Sequence, residues 1–260
     1  MKPIAPTLRD LALAAAVVLL AALPPLLHAA PDAHATAGHA AAARPSAMSR
    51  PELRQLLATL PAGNATRGQQ LHTQQFCAAC HGTAGVAPTP NWPHLAGQRA
   101  AYTVKQLVDY QRGIRAENER AALMSDIART MTLQDMADLA AWYASLPAPQ
   151  EAETPRPTAT AAAQAEALRL VRHGDAARLI TPCASCHGAR GQGGVNETPA
   201  LAGQNPQYFV RTMQLYHGQQ RANDTRRGMR SFAGKLSAEE LAALATYYAD
   251  LPASKGAHRR

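Results

Sequence analysis

Apolar positions along the 260 residues of this chain fall into three patterns. The first is an unbroken run of Ala, Leu and Val, Leu11–Leu23, which follows Lys2 and Arg9 and ends at Pro24-Pro25. It falls short of the roughly 20 apolar residues that a membrane-spanning helix needs. A short apolar run behind a basic start, followed by small residues, predicts an export signal over residues 1–35. Cleavage after Ala29 and after Ala35 fit equally, and an uncleaved anchor is the alternative reading. The second pattern is a helical stripe that occurs twice: Leu133, Met136, Leu139, Tyr143 and Leu146, then Leu241, Leu244, Tyr248 and Leu251. Thr132 and Ser237 precede the stripes as N-caps, with Asp135 and Glu240 three residues on in capping-box positions. Pro147 and Pro252 end both helices. The third pattern is less periodic and predicts helices over Ser49–Leu60, Thr66–Phe76, Arg99–Arg112, Ala162–Leu179 and Pro206–Tyr216. No period-two alternation marks a strand, so the chain reads as all-α.

Most of these elements come in pairs because the chain repeats itself. Cys77-Ala78-Ala79-Cys80-His81-Gly82 returns as Cys183-Ala184-Ser185-Cys186-His187-Gly188, 106 residues later. Gly68 and Gly174, the segments Leu95-Ala96-Gly97-Gln98 and Leu201-Ala202-Gly203-Gln204, and Tyr102 and Tyr208 keep that offset. Trp142-Tyr143 matches Tyr247-Tyr248 at 105, which places the loss of one residue in the second copy between Tyr208 and Met229. The expected organisation is a signal over 1–35, an Ala-rich leader with a short helix over 36–60, and a first domain over 61–147. A Pro-, Ala- and Glu-rich linker over 148–161 leads to a second domain over 162–252 and a basic tail over 253–260.

Composition changes the picture in two ways. Hydrophobic residues make up 47% of the chain, enough for cores, but aromatics make up only 5%. That is thin for two ordinary cores, because aromatic side chains supply much of the area a small domain buries. The net charge of +8 is scattered, with no basic run longer than Arg226-Arg227 or Arg259-Arg260, which argues against nucleic acid as a partner.

All four cysteines lie in C-x-x-C-H, and none is left over. Two thiols three positions apart at a helix end can both add to the vinyl groups of one haem. The next residue, His81 or His187, then lies under the iron as axial ligand. A structural zinc site does not need a histidine beside each pair, and a thioredoxin-like pair wants a βαβ setting that is absent here. The motif therefore predicts two haem c groups, attached through Cys77 and Cys80 and through Cys183 and Cys186. Each macrocycle would fill the centre of an aromatic-poor core.

The repeat also selects the second axial ligand. Met124 lies 43 residues after His81 and Met229 lies 42 after His187, the same one-residue shift as in the flanking motifs. Met131, Met136 and Met213 face Leu236, Leu241 and Leu107 across the repeat, and His72, His94, His173 and His217 face Arg178, Ala200, Arg67 and Gln111. None of those is a matched pair, so the ligands are read as Met124 and Met229. A thioether opposite an imidazole raises the haem potential and closes the coordination sphere. Pro93 and Pro199, each 12 residues after its histidine, offer carbonyls that can fix the imidazole's other nitrogen. The alternative is that they merely punctuate a loop.

With these residues in place, both copies resemble class I c-type cytochromes, and the stretch from about Gly63 to Leu251 resembles the dihaem cytochrome c4 family. The resemblance rests on the two haem motifs, the two L-A-G-Q segments, Tyr102 and Tyr208, the M-x-x-[IF]-A segments and the closing aromatic helices. It implies two haem domains packed about a pseudo-twofold axis, with first and last helices crossing where Gly68 and Gly174 give room for an aromatic. It also implies a periplasmic electron shuttle, often membrane-associated, fed by a quinol-oxidising complex or a dehydrogenase and discharging to a terminal oxidase. Two departures stand out: the lengthened N-terminus over 31–60, and Gly113, which has no aligned glycine because Gly218 sits one place away. An electron carrier without catalytic residues is the leading expectation. The alternatives are a cytochrome subunit of a sulfide-dehydrogenase-like complex and a dihaem enzyme such as a thiosulfate dehydrogenase or a peroxidase.

Overall fold

The structure is a computed structural model, and it describes residues 45–149, 159–195 and 197–251. The signal, the start of the leader, most of the linker and the basic tail lie outside the described residues. The first half contains α1 (Arg50–Ala58), α2 (Ala65–Gln74), α3 (Ala78–His81), α4 (Ala100–Gln111), α5 (Glu119–Arg129) and α6 (Leu133–Ser145). The second contains α7 (Ala161–His173), α8 (Ala184–His187), α9 (Pro206–His217), α10 (Gly228–Ala233) and α11 (Ala238–Ala249). Complete capping boxes open α1, α6 and α11: Ser49, Thr132 and Ser237 accept from the N–H three residues on, whose carboxylates reach back.

Packing repeats as the sequence does. In the first half α6 lies against α2 and α4, with α5 on α4; in the second α11 lies against α7 and α9, with α10 on α9. Each half has its own core. Val104, Leu107, Met136, Leu139, Trp142 and Tyr143 gather in the first, and Leu170, Phe209, Met213, Leu241, Leu244 and Tyr248 in the second. Met48 belongs to the first core and Leu56 of α1 packs against it, so α1 lies against that half. Among the described residues no helix is long and apolar enough to cross a membrane.

The halves differ in three places. At Gly68, α2 presses so closely on α6 that an added Cβ would lie 2.1 Å from the Asp138 carbonyl oxygen and 2.8 Å from Trp142 Cβ. Gly174 does not play this part, contrary to the expectation carried over from the resemblance. It caps α7 in a left-handed conformation (φ +67°), and its missing side chain makes room for the Ile180 carbonyl. The backbone then pairs Asp175 with Ile180, so α7 stops at His173 and does not run on to Leu179. The lost residue falls between Arg221 and Met229, because Arg115 and Arg221 still stand 106 apart. There α10 has six residues against eleven in α5, preceded by left-handed Arg226 and Arg227. The glycine mismatch resolves at the backbone: Gln219, not Gly218, holds the left-handed turn (φ +63°) that Gly113 holds (φ +70°).

Candidate functional site

Each C-x-x-C-H segment forms one tight helical turn capped by its first cysteine, with the His81 and His187 N–H groups donating to the Cys77 and Cys183 carbonyls at 2.9 Å. A left-handed glycine ends each turn; at Gly82 (φ +73°) a Cβ would strike the Val86 carbonyl oxygen at 2.0 Å. His81 and His187 are both buried, and each Nδ1 donates to a proline carbonyl, Pro93 or Pro199, at 3.0 Å. That leaves Nε2 as the free coordinating nitrogen of each ring. Burial pushes both imidazoles towards the neutral form, which is the form that can coordinate a metal.

One continuous cavity of about 440 Å³ runs through both halves and brings the expected residues together. Cys77, Cys80, His81, Pro93 and Met124 line it from the first half; Cys183, Cys186, His187, Pro199 and Met229 line it from the second. Met124 and Met229 are half-buried and pack against the first and second cores respectively. Burial raises the Cys77 and Cys183 thiols, so they are not thiolate ligands held ready for a bare metal ion. Among the described residues no group of three His, Cys, Asp or Glu side chains is arranged to hold one. Paired thiols, a neutral imidazole with its outer nitrogen already committed, and a thioether in the same cavity form a donor set that fits haem c, twice.

Where the two halves meet lies a buried polar seam that the sequence pattern did not point to. Arg115 stacks on Tyr110, with its guanidinium carbon 4.2 Å from the ring centroid, and Arg221 stacks on Tyr216 at 4.7 Å. Both pairs obey the 106 offset, so the test that found Tyr102 and Tyr208 would have found them too. Arg221 is 1% exposed, bonds Tyr102 Oη and Gln106 Oε1 of the first half, and has an Nη1 that is buried without a partner. Lys105 and Asp109 form a buried pair on α4, and Asn223 donates to both Asp109 and Gln106. An orphaned guanidinium nitrogen in the wall of a cofactor cavity fits an anionic group of that cofactor, and haem carries carboxylates.

Comparison with known proteins agrees with this geometry. A family model described as cytochrome c matches residues 65–147, and one described as cytochrome C oxidase, cbb3-type, subunit III matches residues 161–247. Cytochrome c4 of Thiocapsa roseopersicina is 38% identical over 173 residues, which make up 66% of this chain and 84% of the relative. A thiosulfate dehydrogenase electron acceptor of Stutzerimonas stutzeri is 33% identical, over 72% of this chain and 87% of its own. The crystal structure of reduced recombinant cytochrome c4 from Pseudomonas stutzeri superposes with a TM-score of 0.64 at 30% identity. It matches 73% of this chain and all of its own.

Proposed function

The chain belongs to the cytochrome c4 family, and on that premise we propose that it is a periplasmic carrier whose haems are ligated by His81 with Met124 and by His187 with Met229, delivering electrons to a terminal oxidase. It is an electron-transfer protein, not an enzyme, and carries two covalently bound haem c groups. Bound haem supplies one-electron oxidation and reduction of its iron. The protein's part is to hold each group still and keep it closed. Cys77 and Cys80, and Cys183 and Cys186, would hold the two groups by thioether bonds. The Pro93 and Pro199 carbonyls orient the imidazoles and make them stronger donors. Met124 and Met229 would supply the remaining ligands and leave no position open for a substrate, which suits transfer rather than bond chemistry. The domain limits 61–147 and 162–252 belong to the same proposal.

The carrying observation is that one arrangement recurs in one cavity: a buried imidazole tied through Nδ1, a cysteine pair on the same turn and a half-buried methionine, each matched across the repeat. Periplasmic residence rests on the export signal read in residues 1–35. The basic balance of the chain, reduced by about four propionate charges at neutral pH, favours an acidic redox partner. The relative named as a thiosulfate dehydrogenase electron acceptor favours a second reading of the donor, in which a dehydrogenase of that kind reduces this chain.

Optical spectroscopy tests the ligand set. Oxidised protein is expected to show the methionine-to-iron charge-transfer band at the strength of two haems, and Met229→Ala is expected to halve it and open only the second haem. A band untouched by that substitution would remove Met229 from the ligand set.

A further inference from the structure

The two L-A-G-Q segments acquire a role at the seam. Gln98 of the first half grips Ala200 of the second: Oε1 accepts from the Ala200 N–H at 2.9 Å and Nε2 donates to the Ala200 carbonyl at 3.1 Å. Gln204 of the second half grips His94 of the first in the same way, at 2.9 and 3.0 Å. Each Oε1 also accepts from the next N–H in its own chain, Arg99 or Asn205, at 2.9 Å, so neither side chain is free to swing. Both glutamines are buried. Positions 94 and 200 are related by the repeat, as are 98 and 204. The clasp is therefore reciprocal about the pseudo-twofold axis.

What each glutamine holds is one particular peptide plane. The His94 N–H belongs to the same amide as the Pro93 carbonyl, and that carbonyl accepts from His81 Nδ1. The Ala200 N–H belongs to the same amide as the Pro199 carbonyl, which accepts from His187 Nδ1. A trans peptide unit is rigid and planar, with its oxygen and hydrogen on opposite edges. Gln204 thus holds from behind the amide that faces His81, and Gln98 the amide that faces His187. An amide whose N–H is already donating is polarised and accepts more strongly at its oxygen.

We propose that Gln98 and Gln204 are crossed positioning residues: each half of the molecule orients, through one amide, the axial histidine of the other half. The proposal rests on His81 and His187 being haem ligands. A firmly held carbonyl draws on Nδ1–H, enriches the imidazole and favours the oxidised iron. Loosening the amide favours the reduced iron and raises the potential of the haem across the seam, not of the haem in the glutamine's own half. The clasp gives each haem a direct mechanical dependence on how the other half is docked.

The test is redox titration of the full haem-loaded protein, with the second haem's potential assigned by its loss in Met229→Ala. Gln204→Ala is expected to raise the first potential and Gln98→Ala the second. Each shift should be roughly threefold to tenfold in the reduction equilibrium, tenfold being about 59 mV for one electron. Gln98→Met and Gln204→Met, which keep the side-chain bulk, are expected to do the same and serve if the alanine variants fold poorly. Potentials that stay put, or that move together in either single variant, overturn the crossed arrangement. If Met229→Ala leaves both haems closed, the ligand assignment fails instead.

Discussion

His72 shows what a single residue adds to the haem turn. It sits in α2, 1% exposed, with Nε2 donating to the Gly82 carbonyl and Nδ1 accepting from the Tyr143 hydroxyl, both at 2.9 Å. The ring thereby ties the end of the first C-x-x-C-H turn to α6. Its repeat equivalent, Arg178, pairs with Asp175 and Glu240, so among the described residues the tie exists in the first half alone. Comparing the repeats could exclude His72 as a haem ligand but could not reveal this role, because Tyr143 lies 71 residues from it in the chain. Burial holds the His72 pKa below the ordinary histidine value. The unfolded chain then takes up the proton first, so the contribution is complete above about pH 6.5 and drains as the pH falls towards the lower folded value. His72→Leu leaves the Gly82 carbonyl and the Tyr143 hydroxyl without this partner, at about 1–3 kcal/mol for each group. Denaturant unfolding at pH 7 and pH 5 is expected to show a lower midpoint for the variant and a smaller loss on acidification than in the native protein. Equal pH dependence in the two proteins would mean that His72 does not titrate on unfolding.

At the scale of elements, periodicity and caps were legible, whereas helix ends and crossings were not. The stripes in α6 and α11 and their capping boxes stand where the sequence puts them, because local hydrogen bonds and one apolar face decide both. The end of α7 was misjudged because its Ala-, Leu- and Arg-rich composition continues past the point where Gly174 turns the chain into the Asp175–Ile180 pairing. Two glycines at the same offset from the cysteines therefore do different work, a close helix approach at Gly68 and a left-handed cap at Gly174. A sequence offset carries no backbone angle, so it could not separate them. Gly68→Ala is the direct test. Its Cβ meets backbone atoms of α6, which cannot step aside as a flexible side chain would, so α2 and α6 must separate. The expected destabilisation of the haem-loaded protein is about 3 kcal/mol, the upper end for an overpacked core. A variant as stable as the native chain would show that α2 and α6 cross less tightly than the structure has them.

For the molecule as a whole, the repeat announced two like domains but not the difference in charge between them. Lys105, Arg115 and Arg221 are buried in the seam with Asp109, Glu117 and Asp224. Arg115 pairs with Glu117, whereas Arg221 has Asn223 at the repeat-equivalent place, and nearby Asp224 is taken by Arg230. Among the described residues no carboxylate pairs with Arg221, so its charge is not offset by the protein as that of Arg115 is. A positive charge in the cavity wall disfavours removal of an electron from a nearby haem. At ~10 Å and an effective dielectric near 20, one charge is worth about 1.7 kcal/mol, more than tenfold in an equilibrium constant. Arg221→Gln, which keeps an amide donor for Tyr102 and Gln106, is expected to lower a haem potential. Glu117→Gln frees the charge on Arg115 and is expected to raise one. Opposite signs from two neutralising substitutions in one seam cannot come from loosened packing, which has no charge to follow. Redox titration of the two variants therefore reads the asymmetry directly, and shifts of the same sign would show that the unequal pairing of Arg115 and Arg221 does not set the two haems apart.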